Sequence, residues 1–298
     1  MTHYHVRDIN EKNIIISIIL NLVITAAEVV GGLLAGSLAL VSDALHNFSD
    51  SISLIISYIA LKLSQRENSL RLTYGHKRAE ILAALFNSAV LLIVVFFLFR
   101  AALDRIRHPV PIQGTLMIAV AVIGLLANLI AVLLLKKDSR KNLNIKSAYL
   151  HLLADTFSSV AVVIGGILIV AFGIMWVDPI LTVLIGLYVL KESYDIIKQT
   201  LKILMQAVPE HINILEIQNA IEELPEVSNI HHVHVWQVTE NEVHFEGHID
   251  VSEDLNISRI ADLNRKIERL LADRFGIEHV TIQVEFGSCA DKKIIKEC

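Results

Sequence analysis

The chain has 298 residues, 54% of them hydrophobic and only 19% charged, with a net charge of −5. With no basic, aromatic-interleaved patch it does not read as a nucleic-acid binder. Two cysteines, Cys289 and Cys298 in the final tail, give no disulfide framework and read as reduced thiols.

In chain order, the N-terminal MTHYHVRDINEKN carries no cleavable signal pattern, so the first apolar stretch is expected to stay as an anchor. Six apolar segments follow, at roughly 14–36, 38–62, 79–101, 114–135, 147–172 and 178–200. Each is near the ~20 residues that cross a bilayer, which predicts a six-helix transmembrane domain over 1–207. Little more than Gly36–Ser37 joins the first pair, and a short turn over 173–178 joins the last. Lys62, Arg66, Arg71, Lys77 and Arg78 follow segment two, and Lys136, Lys137, Arg140, Lys141 and Lys146 follow segment four. Positive loops belong in the cytoplasm, which places both termini there. Arg100, Arg105 and Arg107, after segment three, are a weaker contrary signal.

Beyond Pro209 the composition turns polar, and a soluble domain is expected over 208–298. A helix at 211–224, strands at 229–239 and 242–252, a helix at 256–275 and a strand at 279–286 give the order αββαβ. This predicts a cytoplasmic, ferredoxin-like α+β domain with helices on one side of the sheet. In the second strand Val243, Phe245, Ile249 and Val251 alternate with His244, Glu246, His248 and Asp250, so one packed and one open face are expected.

Chemistry-bearing residues recur within the apolar segments. Ser42–Ser53, SDALHNFSDSIS, is echoed by Ser147–Ser158, SAYLHLLADTFS. His46 matches His151, and Asp50 matches Asp155. At a spacing of four, imidazole and carboxylate stack on one helix face. Ionisable groups in a membrane are expensive and mark function by default. The bland alternative, two unrelated polar pairs bonding neighbouring helices, is weakened by the shared flanks of the two copies. Under six-span topology the two copies run oppositely, which fits an inverted three-plus-three repeat with its site near the midplane.

Two imidazoles with two carboxylates suit tetrahedral Zn²⁺, Co²⁺ or Cd²⁺ better than Mg²⁺ or Mn²⁺. Four protein ligands close the metal, whereas catalytic zinc keeps an open position, and no His-Glu-x-x-His base is present. Each ligand must shed its proton to coordinate, so H⁺ is the natural counter-ion for a transported metal. Glu28, Asn87 and Asn128 are further polar residues in the spans, and Asp43 is given no ligand role.

The paired His-x-x-x-Asp motifs, TYGHKRAEILAALFNS at 73–88 and HHVHVWQV at 231–238 resemble the cation diffusion facilitator family, closest to its bacterial zinc, cobalt and cadmium efflux members. The resemblance implies proton-coupled efflux of divalent metal, a homodimer and a metal-binding cytoplasmic domain, and the lack of a histidine-rich loop and of targeting signals favours a bacterial inner membrane. Carried over position by position, it makes His46, Asp50, His151 and Asp155 the transport ligands. It makes His231, His248 and Glu285 a cytoplasmic metal site. Gln283 stands where some bacterial members have another histidine, which counts against a binuclear site. His231 and His232 are neighbours on a strand and are expected to face opposite ways, so only one shares the face of His248. Leu72 and the short basic stretch 136–146 leave no metal site in the loops, and His76 reads as structural. Two other classes remain beside the exporter: an intramembrane metalloenzyme, which lacks an evident base, and a metal-responsive sensor, which leaves the buried carboxylates unexplained.

Overall fold

A computed structural model describes residues 11–64, 69–136, 143–287 and 294–295. His3, His5, Cys289 and Cys298 lie outside the described residues. Those described fall into two compact units, one within 1–62 and 83–197, the other within 63–82 and 198–298.

The first unit is helical: α1 (Glu11–Ala35), α2 (Leu38–Ser64), α3 (Ala79–Arg107), α4 (Gly114–Leu135), α5 (Leu143–Phe172) and α6 (Val177–Leu204) supply it, less the ends that belong to the second unit. Among the described residues, α3 and the 152–172 part of α5 are long and apolar enough to cross a membrane. The unit is inside-out by the standards of a soluble bundle. Phe86, Phe96, Phe97, Ile164 and Phe172 are exposed, while Glu28, Asp43, His46, Asn47, Asp155 and Asp178 are buried. In water such an outer surface would be a liability, and in hydrocarbon it is the ordinary one.

Small residues let the helices approach. A Cβ added at Gly31 would stand 2.5 Å from Val120 of α4, and one at Gly166 2.6 Å from Ile118. Asp178 ties α6 to the start of α2: it accepts from Ser37 Oγ (2.5 Å), Leu38 N (3.0 Å) and Ala39 N (3.2 Å). An acidic group there satisfies amides that a helix start leaves without partners. Arg105 of α3 reaches the same carboxylate at 3.3 Å and also donates to the Gly36 carbonyl.

The second unit contains α7 (Ile214–Glu222), β1 (Val227–Gln237), β2 (Val243–Val251), α8 (Ile257–Phe275) and β3 (His279–Glu285), in the expected order with ends shifted by at most three residues. The sheet runs β1-β2-β3, antiparallel then parallel. Asn213 and Asn256 cap α7 and α8 through their side chains. Ile217 and Ile221 of α7 and Leu263, Ile267 and Leu271 of α8, at helical spacing, pack with Ile230, Phe245 and Ile249 of the sheet.

Two sequence expectations for this sheet need correction. The supposedly open face of β2 is covered in part: His244 and Asp250 are buried. Tyr74 packs edge-on against His244, with ring centres 5.4 Å apart, and Gly287 N donates to Asp250 Oδ1 at 3.0 Å. Period-two alternation carries no information about what a distant loop lays over a face. The second correction concerns His231 and His232. A register shift between His231 and His234 leaves His232 at φ 50°, and both rings meet His248, at 5.6 and 4.6 Å between centres. The bulge cancels the alternation on which the one-face expectation rested.

Candidate metal centre

On α2, His46 and Asp50 are one turn apart. Their side chains approach at 3.7 Å, Nε2 to Oδ2. From α5, Asp155 brings Oδ1 within 3.1 Å of the same Nε2. His46 is 3% exposed and Asp155 4%. One donor atom from each of the three lies within 4.8 Å of the others. Bonds of 2.0–2.2 Å in a tetrahedron put donors about 3.4 Å apart, and the two separations from Nε2 bracket that value. His151 lies on α5 one turn before Asp155, but its side chain is outside the described residues.

The structure adds two neighbours that sequence reasoning missed. Glu192 of α6 places Oε2 3.8 Å from His46 Nδ1, and Tyr188, one turn earlier, meets the imidazole edge-on at 5.6 Å. At that distance Glu192 faces the side of the imidazole opposite the Asp50 and Asp155 carboxylates as an ion-pair neighbour. The available signal was a carboxylate within the expected 178–200 span, but Lys191, Asp195 and Lys198 beside it give that half of the segment the look of a polar end.

Asp43 and Asn47, the other polar members of the α2 motif, turn to different partners. Asp43 accepts from Ser158 (2.6 Å) and Ser159 (3.5 Å) of α5, and Asn47 donates to Glu28 of α1 at 2.8 Å. Asn87 donates to Ser49 Oγ at 2.8 Å, and Asn128 to Ser159 at 3.4 Å.

In the second unit a smaller cluster forms where β1, β2 and β3 run side by side. His248 Nδ1 lies 2.9 Å from Glu285 Oε1, and His231 Nε2 3.6 Å from Glu285 Oε2. The three donors again lie within 4.8 Å of one another. His231 is buried and its Nε2 has no hydrogen-bond partner, as a ligand nitrogen awaiting an ion would be. Two imidazoles and a carboxylate are a zinc-type donor set. Gln283, level with His248 in the register, spends its amide on Glu285 Oε1 at 2.7 Å. His76 is exposed. His234 meets His232 edge-on, ring centres 4.9 Å apart.

A buried set of metal donors held between lipid-facing helices, with a small mixed α+β unit attached, defines a membrane protein that handles cations. Residues 14–205 match the cation efflux transmembrane domain and residues 209–286 the cytoplasmic domain of cation efflux proteins. The chain is 38% identical over 285 residues to the cadmium, cobalt and zinc/H⁺-K⁺ antiporter of Bacillus velezensis, covering 95% of this chain and 91% of that protein. It is 36% identical to the metal cation efflux system protein CzcD of Cupriavidus metallidurans, over 94% of this chain and 88% of the relative. It is 38% identical to the zinc transporter ZitB of Escherichia coli, over 88% and 83%. The chain belongs to the cation diffusion facilitator family; it is an integral membrane transporter and not an enzyme.

Proposed function

We propose that the protein exports Zn²⁺ from the cytoplasm in exchange for protons, taking Cd²⁺ and Co²⁺ as well, with His46, Asp50, His151 and Asp155 as the transport ligands. The observation that carries this reading is the convergence of His46, Asp50 and Asp155 in the interior of the helical unit. Relatives named as cadmium, cobalt and zinc antiporters and as zinc transporters support the same metals.

The helices α1–α6 run for 22 to 30 residues, at least about 33 Å, and serve as six spans across a ~30 Å hydrocarbon core. Residues 1–207 form the transport domain. Residues 208–298 form a cytoplasmic, ferredoxin-like domain that binds regulatory metal at His231, His248 and Glu285 and joins two copies into a homodimer. The positive loops support cytoplasmic termini, and the bacterial relatives support an inner membrane as the location.

Exchange follows from ligand chemistry. A divalent ion displaces protons from the imidazoles and carboxylates as it binds, and protons arriving from the far side release it. Coordination by protein groups alone replaces the hydration shell the ion gives up in the membrane. Uptake of radiolabelled zinc into proteoliposomes, with a pH-sensitive dye inside, tests the reading. Zinc must enter against an outward proton flow, and Asp155→Ala must abolish both; an unaffected Asp155→Ala would remove the site assignment.

A further inference from the structure

Glu28 of α1 is 1% exposed and lies outside the metal cluster. Its Oε2 accepts from Asn47, the residue after His46, and its Oε1 has no hydrogen-bond partner. Gly124 of α4 makes room for that oxygen: a Cβ there would stand 2.3 Å from Oε1. One turn before Asn47, the buried Asp43 is held by Ser158 and Ser159 of α5, and Asn128 of α4 bonds Ser159. Polar groups of four helices thus meet beside the metal donors.

Among the described residues, the charged groups that act on Glu28 are Asp43 and His46 of α2 and Asp155 of α5. A buried carboxylate oxygen that lacks a donor and faces other acids is costly as an anion and settles once it carries a proton.

We propose that Glu28 is a proton site of the transporter separate from its metal ligands. With the cluster empty Glu28 is a carboxylic acid; when a divalent cation arrives at His46 and Asp155 its positive charge favours the Glu28 anion, and the proton leaves. The coupling is reciprocal, so a proton taken up at Glu28 weakens the hold on the metal. Asn47, which bonds Glu28 from the position next to His46, keeps the two sites in register. This inference rests on the exporter reading above.

The test uses the full-length protein and its Glu28→Gln variant. Calorimetry with Zn²⁺ in buffers of different ionisation enthalpy counts the protons released per ion bound. Proteoliposomes measure zinc-for-zinc exchange and pH-driven zinc uptake separately. Glu28→Gln should keep zinc affinity and exchange within about threefold while releasing about one proton fewer. Its pH-driven uptake should fall by roughly tenfold or more. An unchanged proton count overturns the proposal. So does a collapse of zinc affinity in a folded variant, which would make Glu28 a metal ligand. Proton release that tracks added K⁺ in the parent but not in Glu28→Gln would reassign the site to an alkali cation. A parent with no zinc exchange would instead sink the exporter reading. Should Glu28→Gln fail to fold, Gly124→Ala presses on Oε1 while keeping the carboxyl; it must shift the pH dependence of uptake with zinc affinity held, and an unmoved profile overturns the proposal.

Discussion

The protein builds a zinc-type donor set twice, in surroundings that differ in almost every physical respect. In the helical unit His46 and Asp50 of α2 meet Asp155, more than a hundred residues away on α5, and Glu192 stands behind from α6. In the second unit His231, His248 and Glu285 sit on three strands that already run side by side. The helical cluster has two carboxylates to one described imidazole, whereas the sheet cluster has the reverse. Excess negative charge in a water-poor interior is tolerable only with a cation or protons present. The sheet cluster, with a single carboxylate and partly open at His248 and Glu285, carries less uncompensated charge and lies nearer to solvent. The contrast teaches that the same donor types carry a different charge balance in the two surroundings, and under the proposed function it is the carboxylate-rich set whose charge must be exchanged.

Removing one charge from the helical cluster is the harshest way to test that contrast. Asp155→Asn keeps the shape of the side chain and deletes an anionic ligand held 3.1 Å from His46. Zinc uptake by proteoliposomes should fall by about 100-fold or more, since even outer-shell partners of a metal site are worth 10- to 100-fold. The same change in the sheet cluster, Glu285→Gln, should leave saturated uptake within about threefold. Equal losses at the two clusters would erase the distinction between them.

A third carboxylate separates structure from transport. Asp178 is fully buried like Asp155, but it has three donors around the start of α2 and a guanidinium beside it. Breaking such a buried pair costs about 3–5 kcal/mol. Asp178→Ala should therefore appear as lost thermal stability and poor yield of folded protein, and not as a selective loss of zinc affinity. A variant that folds like the parent and fails only to bind zinc would move Asp178 into the metal site.

At the sheet cluster, His248→Ala should abolish zinc binding to the second unit, read by calorimetry on the full-length chain with Asp155→Asn as background. Outer-shell partners alone are worth roughly 10- to 100-fold in metal affinity, so the loss of one of three direct donors should cost more than that. Undiminished binding would detach these residues from the metal.

How much of this could be read from the chain alone depends on how local each signal is. The His46–Asp50 and His151–Asp155 pairs are one helical turn apart, so spacing alone brings each to one face. The strands and α8 were equally legible, because Leu263, Ile267 and Leu271 keep helical spacing within a single element. Glu192 was hidden because Lys191 and Asp195 around it make the run resemble the polar end of a span. Asp178 was hidden because its partners at Ser37–Ala39 lie some 140 residues earlier. The bulge at His232 was hidden because a register shift leaves no trace in an alternating pattern.

The mildest expected effect concerns the stretch 69–78, which packs on β2 within the second unit. Lys77 Nζ meets both Glu242 oxygens, at 2.6 and 2.7 Å, and Glu242 in turn accepts from His244 at 3.1 Å. Burial pushes the Glu242 carboxyl up, but hydrogen bonds from Lys77 and His244 more than reverse it and hold it below its ordinary value. Burial pushes the His244 imidazole below its ordinary value, with the His279 ring alongside at 4.0 Å between centres; the Glu242 acceptor offsets only part of this. Both groups therefore bind fewer protons folded than unfolded, so stability rises with pH and is lost on acidification. The loss begins for His244 below its unfolded value of 6.5 and is joined by Glu242 below 4.5. Amide hydrogen exchange of β2 in the full-length protein, corrected for intrinsic rates, should show protection falling from pH 7 to pH 5 in the parent and staying nearly flat in His244→Gln. Lys77→Ala should lower protection at pH 7 by only about 0.5–1 kcal/mol, because its partly exposed pair is screened by solvent. Were His244→Gln to keep the parental slope, the pH response would belong to another group, and the packing of Tyr74 and Lys77 over β2 would be a matter of shape alone.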